Sequence, residues 1–481
     1  MSSALLWIIL PVALGVALLF TRRQGGFPLF TAAGFCLFLS WAAWQLPIDV
    51  VLQFGPFSVE IAPAFIMFGR SFTLAETHAP LLAFLYLVEA LWVLGAYLAK
   101  PGKLFIPLSL ICVGLLVAAL AVEPFLYAAL LIAMAAMLLV PLLTRPGERG
   151  TGVLRFLKFQ VFAVPFILFT GWILSGVEAS PNNLNLVLRG GLLLGLGFAF
   201  LLALFPFHSW LPLLAKESHP YVFGFLAFFL PGVGLIFALG FFDRYSWLRA
   251  SDFAYPLLLM AGGLTTLLGG LWAAGERHAG RMMGYAAMVS TGFGLQALGL
   301  GGAQSAHVFF ALLLPQAFAI WGWATSLSML SAANAEGSPA EDPVEKIRTR
   351  PLAAAVWLLA VFSLGGLPLL GSFPGRLALL DGVAAASPLA AASSLIGSLG
   401  LLAAGLRLLL SSLESADPEK RQWVEEVEPA PVRAQAIDAS NPYVWVFTVV
   451  ATLSLLGFGL LPHFFLSAVP ALAALFSQLS P

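Results

Sequence analysis

The sequence predicts an all-α polytopic membrane protein with about fourteen transmembrane helices. Hydrophobic residues make up 60% of the 481 residues and charged residues only 10%, a balance that leaves a soluble protein unable to cover its surface. Apolar runs of about 20 residues, the length that crosses a bilayer, recur along the whole chain. These runs lack the alternation of a membrane β-barrel. We therefore expect one membrane domain over residues 1–481.

The apolar runs divide the chain into fourteen predicted spans, numbered here in chain order. Spans 1 to 7 cover 5–20, 27–44, 79–99, 104–122, 125–143, 159–174 and 192–207. Spans 8 to 14 cover 221–241, 253–274, 282–300, 307–330, 352–370, 389–410 and 443–461. The segment 461–476 is apolar but short, so we expect it to be re-entrant or interfacial.

Lysine and arginine gather in alternate loops between these spans. One set of loops, with the adjoining span ends, holds Arg22, Arg23, Lys100, Lys103, Arg145, Arg149, Arg155, Lys158, Lys216, Arg277, Arg281, Lys346, Arg348, Arg350, Lys420, Arg421 and Arg433. The opposite set holds only Arg70, Arg189, Arg244, Arg249 and Arg376. Because positive loops face the cytoplasm, both termini are expected on the non-cytoplasmic side of a bacterial-type inner membrane.

Two segments of mixed charge are expected to be cytoplasmic linkers. They are 331–350 and 411–441, which are rich in Glu, Lys, Pro and Ala. The second contains Glu425, Glu426 and Glu428, which makes it a candidate docking place for a hydrophilic partner.

Turn-forming residues interrupt spans 7 and 12. Residues 205–212 read FPFHSWLP, and 365–368 read GGLP, followed by GSFPGR at 371–376. Such breaks free backbone groups, so discontinuous helices usually line a buried polar cavity. The breaks lie five spans apart, which fits two inverted five-helix repeats made of spans 4–8 (104–241) and 9–13 (253–410). The alternative is an ordinary proline kink in each helix.

Three segments carry a family resemblance. PFHSWLP at 206–212 resembles a PFHxWLP motif, ERHAGRMMGYAAMVSTGF at 276–293 is similar to "LKRLLAYSSISQMG", and LPLLGSFPGR at 367–376 resembles "GIPPLAGFFGK". By this resemblance the chain is identified as a member of the antiporter-like proton-translocating membrane subunits of respiratory complex I, multisubunit cation/proton antiporters and membrane-bound hydrogenases. Its length is similar to that of the shorter, M- and N-type complex I members.

The resemblance implies a central line of lysine, glutamate and histidine that carries protons between two half-channels. Residue by residue, most of that line is missing. Leu201 stands at the lysine position of span 7, Ile132 at the glutamate position of span 5, and Gln316 and Ile320 at the histidine and lysine positions of span 11. Arg376 stands where many members have lysine after the break in span 12.

Arg376 has two interpretations. An arginine stays protonated and cannot relay a proton by titrating, so one role is an anchor for a carboxylate such as Asp381 or a charge coupled to a neighbouring subunit. The other is an arginine that snorkels to the outer interface. For Arg407, at the cytoplasmic end of span 13, snorkelling is the simpler explanation.

The remaining candidates for a proton path are Glu89 and a polar group after the first break. Glu89 lies near the centre of span 3, where an ionisable residue marks either a proton site or a neutral, hydrogen-bonded packing contact. His208, Lys216, Glu217 and His219 form the polar group. They fit either a cytoplasmic entrance for protons or a solvated loop cap.

No cofactor or metal motif occurs in the sequence: it has no GxGxxG, phosphate-binding loop, CxxC pair or haem or iron–sulfur ligand set. Any redox chemistry is therefore expected to belong to other subunits. The family resemblance implies a non-catalytic membrane subunit of a redox-driven, NADH-quinone oxidoreductase-like translocase, and the missing central line predicts a structural or weakly conducting role. The expected partners are other membrane-arm subunits, lipids and, indirectly, quinone-reducing peripheral subunits, but not nucleic acid. One alternative is an active proton or cation channel that uses Glu89 and the His208–His219 group. Another is the membrane partner of a non-redox system for inorganic carbon uptake or cation antiport.

Overall fold

Apolar helices dominate the computed structural model of this chain, which describes residues 2–54, 57–144, 150–179, 183–332, 350–414 and 441–479. Eight of the described helices are long and apolar enough to cross a membrane, and shorter apolar helices accompany them. Each of the fourteen predicted spans contains a helix, so the predicted all-α polytopic fold is confirmed.

Several sequence predictions concern residues outside this described part. They include most of both predicted linkers and the charged residues Arg145, Arg149, Lys346, Arg348, Lys420, Arg421, Glu425, Glu426, Glu428 and Arg433.

The first half of the chain forms eleven α-helices in the described residues. They are α1 (Leu10–Thr21, continuing a π-helical turn at Leu5–Ile9), α2 (Phe27–Gln45), α3 (Ala79–Ala99), α4 (Phe105–Ala121), α5 (Ala128–Leu138), α6 (Val140–Leu143), α7 (Thr151–Ala179), α8 (Leu184–Leu201), α9 (Trp210–Glu217), α10 (Pro220–Arg244) and α11 (Ser246–Arg249). The helix α10 lies in the interior, since nearly every one of its residues is buried.

The second half supplies the remaining described helices. They are α12 (Ala254–Gly275), α13 (Ala279–Gly299), α14 (Gly302–Ala332), α15 (Pro351–Gly365), α16 (Phe373–Ala386), α17 (Pro388–Glu414), α18 (Pro442–Leu460), α19 (Pro462–Phe465) and α20 (Val469–Ala473). Proline lies in the first turn of many helices, including α2, α3, α10, α15 and α18. There its missing N–H is not needed and its fixed φ suits the helix.

Short strands in the loop that follows α2 were not predicted. They are β1 (Val51–Phe54), β2 (Phe57–Glu60), β3 (Ala64–Met67) and β4 (Arg70–Thr73), with β5 (Val122–Glu123) after α4. The pairs β1–β2 and β3–β4 are antiparallel hairpins, and β5 pairs with β4. Phe68 and Gly69, both at positive φ, form the two-residue turn of the second hairpin, as tight hairpins require.

The boundaries of spans 6 and 7 were predicted wrongly. Span 6 was placed at 159–174, but α7 runs over Thr151–Ala179, and α8 begins at Leu184 rather than residue 192. Hydropathy missed the start of α7 because Arg155 and Lys158 lie in its first turns, where both side chains are exposed. Long charged side chains at helix ends can reach the interface in this way.

Both predicted helix breaks are present. In span 7, α8 ends at Leu201, a 3₁₀ turn covers Phe207–Ser209, and α9 begins at Trp210. In span 12, α15 ends at Gly365, Gly366 takes the left-handed conformation that terminates many helices, and α16 begins at Phe373. Each break is an interruption of the helix over several residues and not a simple kink.

A seam of glycines joins α12 to α17. A Cβ atom at Gly270 would lie only 2.0 Å from the carbonyl oxygen of Gly397, and one at Gly400 only 2.3 Å from that of Gly270. Small residues allow helix backbones to approach this closely in a membrane. The seam fixes α17 against α12, and so positions Ser398 near the second break.

Candidate functional site

The first break is packed with hydrocarbon side chains at the positions where the resemblance implies charge. Leu201, the last residue of α8, is 2% exposed, and Ile132 on α5 is 0% exposed. A Cβ atom added to Gly234 of α10 would lie 3.5 Å from Cδ2 of Leu201, so α10 packs directly against this leucine. Leu201 and Ile132 are therefore packed as apolar core residues.

A glutamine satisfies the backbone that this break frees. Gln160 on α7 donates from Nε2 to the carbonyl oxygen of Leu201 at 3.3 Å. On the far side of the break, the N–H of Phe205 donates to Oγ1 of Thr265 on α12 at 3.5 Å. Freed backbone groups at membrane depth need such partners. The sequence analysis missed Gln160, although a lone amide within an apolar run is a usable signal for this role.

Arg376 performs the corresponding task at the second break. It is 4% exposed, and its Nη2 donates to the carbonyl oxygen of Leu364 in the last turn of α15. Its Nη1 donates to Oγ of Ser398 on α17 at 3.0 Å, and the guanidinium lies 4.2 Å from the ring centroid of Phe293. A cation is stabilised at the C-terminal end of a helix, and the arginine is further held by the aromatic face.

These contacts contradict two sequence-based interpretations of Arg376, snorkelling and pairing with Asp381, whereas its coupling to a neighbouring subunit stays a prediction. The snorkelling interpretation is wrong because the side chain is buried. The pairing with Asp381 is also wrong: Asp381 is exposed, and among the described residues no carboxylate pairs with Arg376. Its charge is balanced instead by a helix end, a hydroxyl group and an aromatic ring.

A small cavity with a partly polar lining adjoins Arg376. It has a volume of about 20 Å³ and is lined in part by Ser290, Thr291, Gln316, Ser372 and Arg376. The structure therefore brings together two positions singled out from the sequence, Gln316 and Arg376. A volume of about 10–15 Å³ is enough for one water molecule if polar partners are present. This cavity is therefore large enough for about one water molecule, which would lie beside the permanent charge of Arg376.

Ile320 borders a second void of different character. Its volume is about 10 Å³, and its lining includes Ala227, Met283, Ala286, Trp323 and Leu364. Apolar cavities of this kind stay dry. The isoleucine therefore lies beside a space that excludes water.

Two residues of the polar group after the first break serve as helix caps. Glu217 accepts hydrogen bonds from Oγ1 of Thr151 at 2.6 Å and from the N–H of Gly152 at 2.7 Å, and so caps the start of α7. His219 accepts from the N–H of Tyr221 through Nδ1 at 3.3 Å and caps α10. An acceptor at a helix start satisfies N–H groups that the helix leaves unpaired.

The other two residues of that group point elsewhere. His208 stacks on the ring of Trp272, with centroids 4.6 Å apart, and on Phe205 at 5.7 Å. Lys216 is exposed. The contacts of Glu217 are thus with the start of α7, and those of His208 are with Trp272 and Phe205.

Glu89 is completely buried between α3 and α4. Oγ of Ser109 donates to its Oε1 at 2.7 Å, while its Oε2 has no hydrogen-bond partner among the described residues. The residues that line the cavity beside Arg376 come from α10, α13, α14, α15, α16 and the second break. Glu89 is thus not part of that cavity.

Arginines cap other helix ends. Arg407 donates to the carbonyl oxygens of Ala274 and Glu276 at the end of α12, and Arg350 donates to that of Met329 near the end of α14 at 2.7 Å. Cations at helix C-termini interact favourably with the last carbonyl groups. Arg407 thus makes specific contacts that simple snorkelling does not require.

The long apolar helices, with two spans interrupted, define a polytopic membrane protein with discontinuous helices. The profile of the family described as "NADH:quinone oxidoreductase/Mrp antiporter, TM" matches residues 159–401. The chain belongs to this family.

Individual proteins and structures are similar to this chain. NADH-quinone oxidoreductase subunit 14 of Thermus thermophilus is 27% identical over 460 residues, which cover 91% of this chain and 92% of that protein. Subunit N of Sulfurimonas denitrificans is 26% identical over 212 residues, so the matched segment is 41% of this chain and only 40% of that relative. A chain in the structure of respiratory complex I from Thermus thermophilus with bound NADH has a TM-score of 0.71 at 22% identity, covering 99% of this chain and 100% of that one.

Proposed function

We propose that this chain is an antiporter-like membrane-arm subunit of a proton-translocating, NADH:quinone oxidoreductase-type assembly, in which it serves mainly as a spacer and packing partner. Membership of the family and the names of its relatives support the first part. The second part rests on the chemistry of the central positions. The chain itself carries protons weakly or not at all along the family's central line.

The observation that carries this proposal is that four positions in the membrane interior hold side chains that do not exchange protons. Leu201 and Ile132 are buried in hydrocarbon, and Ile320 borders an apolar void of about 10 Å³. Proton transfer requires side chains that can bind and release a proton or that hold water in place. The leucine and the two isoleucines do neither. Arg376 keeps its proton and is fixed by Leu364 and Ser398.

Family membership and the charge pattern of the loops support a place for the chain in the assembly. We infer neighbours among other membrane-arm subunits and only indirect contact with quinone-reducing subunits. We propose that both termini lie on the non-cytoplasmic side of a bacterial-type inner membrane, because the positive-inside rule assigns the loops rich in lysine and arginine to the cytoplasm. Residues 104–241 and 253–410 are proposed as inverted repeats, since each carries one interrupted helix.

A second candidate function is favoured by Glu89. Its fully buried carboxyl group has one oxygen without a hydrogen-bond partner among the described residues, and a buried ionisable group in a membrane span is commonly functional. This candidate is a proton or cation channel that uses Glu89 and bypasses the two helix breaks. The capping contacts of Glu217 and His219 weigh against their part in it.

Proton flux in reconstituted vesicles distinguishes the two functions. The wild-type complex is compared with Glu89→Gln, which keeps the shape of the side chain and removes its ionisation. Glu123→Gln is the matched control, because Glu123 is an exposed carboxylate in β5, just after α4. The spacer function predicts equal flux per turnover in all three. A loss confined to Glu89→Gln would establish the channel function instead.

Co-purification identifies the kind of assembly. Subunits with flavin or iron–sulfur clusters are expected to accompany the chain when it is isolated from membranes in mild detergent. A stable complex that lacks redox cofactors altogether would favour the inorganic carbon uptake or cation antiport alternative.

A further inference from the structure

A basic pocket lies where the loops after α1 and α3 meet. Arg22, Lys100 and Lys103 line a cavity of about 370 Å³ together with backbone from Gly25 and Gly102. All three cations are exposed, and every charged residue in the lining is positive. The pocket therefore has a strong preference for an anionic group.

Two helices begin beside this pocket. The first turns of α2 and α4 border it through Pro28 and Ile106, and neither helix start has a side-chain cap among the described residues. Helix N-termini carry partial positive charge. They add to the potential that the three side chains set up.

An apolar crevice continues from the basic pocket along α3 and α18. It has a volume of about 220 Å³, and its lining includes Leu29, Phe30, Leu94, Leu98, Val446 and Phe447. Leu29 and Tyr97 line both cavities, so the two are contiguous. From Tyr97 to Leu91 the crevice follows α3 for about 9 Å at 1.5 Å per residue, which takes it from the interface into the hydrocarbon region.

The chemistry at the junction is that of a membrane interface. The rings of Tyr97 and Tyr443 are in contact in a tilted arrangement, with centroids 4.8 Å apart, and both are about half exposed. Tyrosine is enriched at the level of lipid headgroups. A ligand that fits the whole feature thus has an anionic head at this level and an apolar chain below it.

We propose that the basic pocket and the apolar crevice together bind one phospholipid with an anionic headgroup, its phosphate between Arg22, Lys100 and Lys103 and one acyl chain along Leu94 and Val446. Free phosphate would occupy only the pocket and would leave the crevice without an occupant. Clusters of basic residues at the cytoplasmic ends of membrane helices attract anionic lipid in general. Here the contiguous crevice makes the binding specific to one place on the protein.

The test measures retained lipid on the intact complex. The complex is equilibrated in nanodiscs containing phosphatidylglycerol and phosphatidylcholine, extracted, washed, and analysed for bound lipid by mass spectrometry. The headgroup variant is Arg22→Gln/Lys100→Gln/Lys103→Gln, and its control is Arg23→Gln/Arg277→Gln, which removes inner-face charges outside the pocket. The crevice variant is Val446→Trp, with Val449→Trp as control, because Val449 is exposed on the same helix but does not line the crevice.

The expected result is selective loss of phosphatidylglycerol. Each basic residue near an anionic surface contributes about fivefold to binding, so the triple variant is expected to lose roughly a hundredfold in affinity. Val446→Trp is expected to lose the lipid although the three basic residues of the pocket are unchanged. Both controls should retain it, and added inorganic phosphate should not displace it. Equal retention in the headgroup variant and its control, or displacement by inorganic phosphate, would overturn the proposal.

A charge-conserving variant distinguishes loss of the lipid through lost charge from loss of the lipid through misfolding. Lys100→Arg/Lys103→Arg keeps the positive pocket and should retain phosphatidylglycerol. If this variant loses the lipid as fully as the triple glutamine variant while its thermal unfolding is unchanged, charge is not what holds the lipid, and the proposal fails.

Discussion

The guanidinium group of Arg376 caps the last turn of α15 at the carbonyl oxygen of Leu364, inside a membrane span. A titrating side chain at this position would exchange protons, whereas the arginine holds a permanent charge against the negative end of a half-helix. Gln160 makes the equivalent contact with Leu201 at the other break. Both interruptions are therefore sealed by side chains that do not titrate.

Arg376→Lys is expected to destabilise the protein although it conserves the charge. Lysine lacks the planar fork that reaches Leu364 and Ser398 together, and one lost hydrogen bond from a charged group costs about 1.5–3 kcal/mol. Thermal unfolding of the purified complex measures the change. Arg189→Lys, on α8, is the control and should leave the unfolding temperature unaltered. An Arg376→Lys protein as stable as the wild type would contradict the capping role.

Gln160→Leu is expected to lower the free energy of unfolding by about 1–3 kcal/mol, the cost of leaving a buried carbonyl group without a donor. The carbonyl group in question belongs to Leu201. Val161→Leu, at the adjacent exposed position, controls for a change of side chain on α7. Thermal unfolding of both variants provides the comparison, and equal stability would show that Leu201 is satisfied in another way.

Glu217→Ala is expected to loosen the start of α7. Loss of an N-terminal cap costs about 0.5–2 kcal/mol, and the amide of Gly152 loses its acceptor. Hydrogen exchange at Gly152 should become faster, while Lys216→Ala, which alters the exposed neighbouring side chain, should have no effect. If Glu217→Ala instead reduced proton flux without faster exchange at Gly152, the residue would belong to a proton path.

Gly270→Ala is expected to prevent normal packing of α17 on α12. The added methyl group would meet backbone of Gly397 at 2.0 Å, and backbone cannot move aside as a flexible side chain can. Gly275→Ala on the same helix is the control, because nothing lies within 4 Å of its Cβ position. Amount of folded protein in the membrane and unfolding temperature are the measurements. Normal folding of Gly270→Ala would show that the seam is less tight than described.

Hydropathy and turn chemistry predicted the helices and both breaks, because a bilayer requires long apolar runs and Pro or Gly ends them. The same method missed the start of α7 at Thr151, where charged residues extend the helix to the interface. It also missed the hairpin turn at Phe68 and Gly69, because hydropathy detects long apolar runs and not tight turns between short strands.

The partners of individual polar residues were harder to predict than the helices. Glu217 caps a helix that begins 66 residues earlier in the chain, and Arg376 meets Leu364 across the break. Such contacts depend on tertiary packing, which one sequence does not encode in its local pattern. The positions Leu201, Ile132, Gln316 and Ile320 could be named from motifs, but their surroundings required coordinates.

A cryo-EM density map of the assembled complex that shows ordered water tests directly whether protons can cross this chain. We expect no water beside Leu201, Ile132 or Ile320, and at most an isolated water between Gln316 and Arg376. A continuous file of waters from Leu201 to Arg376 would contradict it and would restore a proton path through this subunit.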